Sequence, residues 1–194
     1  MTESTFARKG SRLLISDRFA NVPLINHFGQ AVRFRDDLVN GRAMIINTMY
    51  TNCDGTCPGT SARLQQLRDD LSPLFGRKLV IVSISIDPAE DSPRVLREYA
   101  AGFDADMPRA DRCEWHFLTG AVAAIEELRR SLGFYDLDPK VDADRTRHAA
   151  MLQFGNPNAD RWAALPSALR KPLLLEAIRR VCGFTFEQRY GIPG

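Results

Sequence analysis

Apolar residues in this chain fall into two rhythms, unbroken runs and steps of three or four, and the alternation between them predicts the order of elements. Residues 43–50, Ala-Met-Ile-Ile-Asn-Thr-Met-Tyr, and residues 79–86, Leu-Val-Ile-Val-Ser-Ile-Ser-Ile, are apolar almost throughout, as strands covered on both faces are. Between them Leu64, Leu67, Leu71 and Leu74 mark one face of an amphipathic helix over about 58–72, and Gly76 breaks the pattern. Ser92-Pro93 opens a second helix with Ser92 as its N-cap. A short strand at 115–118 precedes a helix carrying Val122, Ile125, Leu128 and Leu132. At the start, residues 22–26 and 31–34 flank His27-Phe28-Gly29-Gln30 and read as a β-hairpin. Near the end, residues 148–154 and 161–164 read as an antiparallel pair around Asn156-Pro157-Asn158, and a last helix over 172–182 presents Leu174, Ile178 and Val181. The order is hairpin, βαβαβα, two strands and a helix, which predicts an α/β domain with a mixed sheet and helices on both faces. The least patterned stretches are residues 133–147 and those after 183.

Composition narrows the function without naming it. A net charge of +2 with both signs interspersed argues against a nucleic-acid partner. Residues 1–10 lack an apolar core and a small-residue cleavage site, and no window approaches the roughly 18 apolar residues of a membrane span. No export signal or membrane segment is visible, which predicts a cytoplasmic location if the chain is full length. Four cysteines are too few for a disulfide scaffold in a chain of 194 residues, and two of them cluster. Such usage points to a site.

The cluster is Tyr50-Thr51-Asn52-Cys53-Asp54-Gly55-Thr56-Cys57-Pro58, directly after a predicted buried strand. Pro58 suits the first turn of a helix, so Cys57 falls at a helix N-terminus, where the dipole favours a thiolate. The intervening Asp54-Gly55-Thr56 is polar and turn-like, which predicts exposure. Two thiols so placed can form a disulfide or hold a soft metal, Cu(I) or else zinc. A third ligand would come from His27, His116 or His148. His27 lies in the first turn and His116 within a strand, where surface or core roles are commoner; His148 opens a strand after an acidic loop. Cys113 and Cys182 read as structural, although an exposed Cys113 would be able to resolve a mixed disulfide.

Four stretches in order resemble the Sco/SenC family of copper chaperones. They are Tyr50-Thr51-Asn52-Cys53 with Cys57-Pro58, Ser85-Ile86-Asp87-Pro88-Ala89-Glu90-Asp91-Ser92-Pro93, Phe117-Leu118-Thr119-Gly120, and a late strand with histidine. The resemblance implies a thioredoxin-like three-layer α/β/α sandwich: an N-terminal extension at 1–21, the domain at 22–182 and a C-terminal tail at 183–194. It implies copper, Cu(I) or Cu(II), held by Cys53, Cys57 and His148, with the two cysteines also cycling between dithiol and disulfide. It places Asp87 near the site as a tuning carboxylate. It further implies an extracytoplasmic location and, as partner, a copper-enzyme assembly target or a thiol protein.

The chain departs from many relatives at Asp54-Gly55, where they carry proline after the first cysteine, and at Arg147-His148-Ala149, where they carry Asp-His-Ser. Those departures favour an alternative, a metal-independent thiol–disulfide oxidoreductase using Cys53 and Cys57.

Overall fold

The computed structural model describes residues 13–53, 55–144 and 150–192. The hairpin forms β1 (Pro23–Asn26) and β2 (Ala31–Arg33), with Leu24 opposite Val32. Strands β3 (Ala43–Met49) and β4 (Leu79–Ser85) are parallel neighbours, and β5 (Glu114–Thr119) joins β4 in parallel. Strand β6 (Met151–Asn156) runs antiparallel to β3, and β7 (Arg161–Pro166) closes that edge. Across the sheet the order is β2-β1-β5-β4-β3-β6-β7. Every residue of β3 and β4 is buried, which explains their unbroken apolar sequence. The polar exceptions satisfy one another: the Trp115 indole donates to Ser83 Oγ at 3.0 Å, and Ser83 Oγ donates to Asn47 Oδ1 at 2.7 Å.

Helices cover both faces. On one, α1 (Cys57–Phe75) and α2 (Pro93–Ala101) bury Leu64, Leu67, Leu71 and Leu96 against Ile45, Ile81 and Phe117. The Ser92 hydroxyl caps α2 by accepting from the Val95 N–H. On the other, α3 (Val122–Ser131) and a π-helical turn at Phe34–Val39 bury Ile125, Leu128, Phe34 and Leu38 against Met44, Ile46 and Val82. The short α4 (Pro139–Asp142) follows α3, and α5 (Lys171–Cys182) returns to the first face. This is the three-layer α/β/α arrangement with an N-terminal hairpin that the sequence predicts.

Three differences from the sequence reading have identifiable physical causes. Helix α1 runs to Phe75 rather than 72 because Phe75 is itself buried, and the chain turns only at Gly76, where φ is +50°. The weakly patterned acidic stretch contains α4 because Arg129 and Arg130 both bind the Asp142 carboxylate at 2.6 Å. The stretch after 183 contains α6 (Phe186–Tyr190), tied to the end of α1 by Gln188 Nε2 donating to the Leu74 carbonyl at 2.9 Å. Among the described residues no helix is long and apolar enough to cross a membrane.

The β6–β7 edge depends on one glycine. A Cβ on Gly155 would lie 2.2 Å from the Trp162 ring, which packs edge-on against Phe19 with centroids 4.8 Å apart. Gly155→Ala is therefore expected to cost about 1–3 kcal/mol through overpacking. Gly59→Ala, at an exposed helical position with open space around the added carbon, is expected to gain roughly 0.5–1 kcal/mol. Urea midpoints check both, and an unchanged midpoint for Gly155→Ala would contradict this packing.

Candidate functional site

Strand β3 delivers the chain to the carboxyl end of the parallel strands, and the cysteine loop crosses there before α1 begins. Cys57 is the first residue of α1, with Thr56 at the N-cap position. All four cysteines are free thiols. Asn52, Gly55 and Thr56 are exposed, yet the sulfur-bearing residues turn inward, Cys53 being 8% and Cys57 2% exposed. Both join the apolar cluster beneath α1. The loop is polar outside and its chemistry is inside.

Burial splits the two thiols. Burial raises the Cys53 pKa, but hydrogen bonds from the Cys57 thiol and N–H, the Gly55 N–H and the Tyr50 hydroxyl outweigh it, and the net shift is downward. Cys57 is pushed up to about 12, first by burial, then by its role as donor to Cys53, with the Cys53 and Asp91 charges adding to the effect. The helix dipole alone would favour ionisation at Cys57; burial of Cys57 and its role as donor favour ionisation at Cys53 instead. Tyr99 sits close by, its hydroxyl 3.0 Å from Ser61 Oγ, and burial pushes it up to about 12.

Two sets of hydrogen bonds hold the site. Before the cysteines, the Asp91 carboxylate accepts from the Thr51 N–H at 3.3 Å and from the hydroxyls of Thr51 and Ser85. One turn into α1, Thr60 Oγ1 lies 2.9 Å from Ser167 Oγ, and the Ser167 N–H donates to the Ala150 carbonyl at 2.8 Å. The second set ties the start of β6 to the first turn of α1.

The structure thus brings Cys53 and Cys57 together. Asp87 is buried at the end of β4; its N–H donates to Ser85 Oγ at 3.0 Å and its carbonyl accepts from the Asp91 N–H at 2.9 Å. His148, with Arg147 and Ala149, lies outside the described residues, as does Asp54. Among the described residues, no group of three His, Cys, Asp or Glu side chains is placed to hold a metal.

The other histidines are engaged elsewhere. His27 is a buried core residue bonded to Ala105 and Phe117, and His116 stands 3.3 Å from Glu114, whose carboxyl is lowered to about 2 by His116 and then by Arg42. Cys113 and Cys182 are fully buried, and burial pushes both thiols up, so neither is an exposed resolving thiol. Sequence reasoning passed over Asp91 and Tyr99. The signal for Asp91 was its position just before the Ser92 helix cap, where a second acid follows Asp87 by one turn.

Known proteins share this fold. The SCO1/SenC family model matches residues 14–183. A putative copper-binding protein of Stutzerimonas stutzeri is 27% identical over 154 residues, 76% of this chain and 68% of that protein. Among solved structures, Arabidopsis thaliana ScoI with copper bound superposes with a TM-score of 0.62 at 22% identity, covering 80% of this chain and 92% of that one. BsSco, a member of the Sco family of cytochrome c oxidase assembly proteins in which a disulfide switch was identified, gives a TM-score of 0.63 at 20% identity, covering 86% and 95%. At these identities the structures speak for the thioredoxin-like fold. With the family match spanning nearly all the described chain and the C-x₃-C loop at the end of β3, the chain belongs to the SCO1/SenC family.

Proposed function

We propose that this protein binds copper at the cysteine loop and serves, as metallochaperone or thiol–disulfide reductase, in assembling a copper site such as that of cytochrome c oxidase. The observation that carries the reading is the pair of free, buried thiols at the end of β3, in one apolar cluster and close enough that each acts on the other's ionisation. Two thiols already in contact suit a soft ion, and copper, a likeness to the copper-binding relatives, is the match by softness. Bound copper would be the cargo, passed between thiolates. Cys53 and Cys57 supply two ligands. His148 supplies the third in this reading: it lies two residues before Ala150, which Ser167 ties to the Thr60 turn, and two residues of chain span up to about 7 Å. Asp87, buried at the end of β4, supports the loop from behind.

Anaerobic titration of the reduced protein with copper tests this. One copper per chain is expected, with a thiolate charge-transfer band for Cu(II) that disappears in Cys53→Ala and His148→Ala. An unchanged band and affinity in His148→Ala would remove the third ligand; no uptake by the wild type would defeat the reading.

A second reading, exchange of disulfides without metal, is favoured by the unequal thiols. The Cys53 thiolate attacks a substrate disulfide and displaces one substrate sulfur as a thiolate, which takes up a proton. Cys57 then gives up its proton to solvent and displaces the second, leaving a Cys53–Cys57 disulfide and two substrate thiols. Two electrons pass from the protein to the substrate. Reduction of a disulfide substrate by metal-free protein, one equivalent per chain, is the outcome this reading expects.

A further inference from the structure

We propose that Asp91 is a positioning carboxylate of the cysteine loop: it fixes Thr51 against the end of β4 and sets a negative charge behind the two sulfurs. Asp91 is 1% exposed, and its partners at the loop are donors rather than a cation. The Thr51 N–H sits 3.3 Å from each carboxylate oxygen, the Thr51 hydroxyl donates to Oδ1, and the Ser85 hydroxyl donates to Oδ2. Ser85 Oγ in turn accepts from the Asp87 N–H, and the Asp91 N–H returns to the Asp87 carbonyl. The two loops that follow β3 and β4 are joined at this one side chain. Thr51 stands two residues before Cys53, so the tie fixes where the cysteine loop starts.

The chemistry of the partners selects a carboxylate. Three donors converge on two oxygens, and an amide would turn an N–H₂ toward one of them, leaving a buried donor without an acceptor. The charge has its own effect, because it lies close enough to Cys57 and Tyr99 to act on both. In a buried setting a carboxylate stabilises a doubly charged ion at the sulfurs more than a singly charged one. Asp87 adds its backbone N–H and carbonyl to the same turn.

Two measurements on the full chain test the proposal, and only the second rests on the copper reading. In the metal-free reduced protein, amide exchange at Thr51 is expected to quicken at least tenfold in Asp91→Asn and in Ser85→Ala. In the copper-loaded protein, Asp91→Asn is expected to shift the Cu(II)/Cu(I) balance at least tenfold toward Cu(I), about 59 mV for one electron, with Ser85→Ala near wild type. Wild-type exchange at Thr51 in both Asp91→Asn and Ser85→Ala overturns the positioning role. An unmoved potential in Asp91→Asn overturns the charge effect. If the wild type takes up no copper, the copper reading fails on that result, and Thr51 exchange alone decides for or against Asp91. Should Asp91→Asn fold poorly, Ser85→Ala carries the exchange test by itself.

Discussion

Iodoacetamide added to the reduced protein at pH 7 is expected to alkylate Cys53 at least about thirty times faster than Cys57. The thiolate is the reacting species, so availability comes first. With Cys57 pushed up to about 12 and Cys53 held below its ordinary 9.0, the thiolate populations at pH 7 differ by at least about a thousandfold. Nucleophilicity works the other way, since a more basic thiolate attacks faster. With a Brønsted slope of about 0.4–0.5, three units return a factor of roughly 15–30, leaving about thirtyfold or more in favour of Cys53. Exposure of 8% against 2% adds to the same side. Mass spectrometry of timed digests reads the ratio directly. Equal labelling, or Cys57 labelled first, would show that the helix dipole outweighs burial at this loop. Cys57→Ala should also slow Cys53, because the variant removes the thiol that donates to the Cys53 sulfur.

That ordering of thiols marks the boundary of what the sequence makes legible. The fold is readable because β3 and β4 are buried on both faces, so their sequence carries no polar side to confuse the assignment. The α1 leucines and the hairpin turn are readable for the same reason, each being a local pattern with a single outcome. The positions of Cys53 and Cys57 follow from the strand–loop–helix order. Which sulfur ionises does not, because the helix N-terminus is visible in sequence and the inward turn of both sulfurs is not. Asp91 and Asp87 look alike in the chain, two acids one turn apart, and only the convergence of Thr51 and Ser85 on Asp91 shows what that carboxylate does. Helix α4 was hidden for a related reason: it is held by Arg129 and Arg130 reaching Asp142 from another element, a long-range cause that no local pattern records.

Acidification from pH 7 to about 4 is expected to remove up to about 3 kcal/mol of stability through His27 alone. The imidazole is 1% exposed and doubly bonded: Nε2–H donates to the Ala105 carbonyl at 2.8 Å, and Nδ1 accepts from the Phe117 N–H at 3.1 Å. That pairing fixes the neutral tautomer, since a proton on Nδ1 would face the Phe117 N–H. Burial, opposed by the Ala105 carbonyl and reinforced by the His116 charge, lowers the pKa from 6.5 to about 4. The folded value lies below the unfolded one, so the unfolded chain binds the extra proton in between. Stability from the neutral ring is full above 6.5 and is lost as pH falls through 6.5 toward 4; about 2.5 units at 1.36 kcal/mol each give the magnitude. This window lies above the one in which the Glu114 carboxyl, lowered to about 2, gives up its own contribution. Urea midpoints at pH 7.5, 6.0 and 4.5 should fall steadily in the wild type. His27→Gln, which keeps a donor and an acceptor without a titrating ring, should start lower and stay nearly flat. A wild type with no slope across this window, or a variant with the same slope, would show that the ring accepts its proton in place and that the Ala105 and Phe117 bonds tolerate the imidazolium.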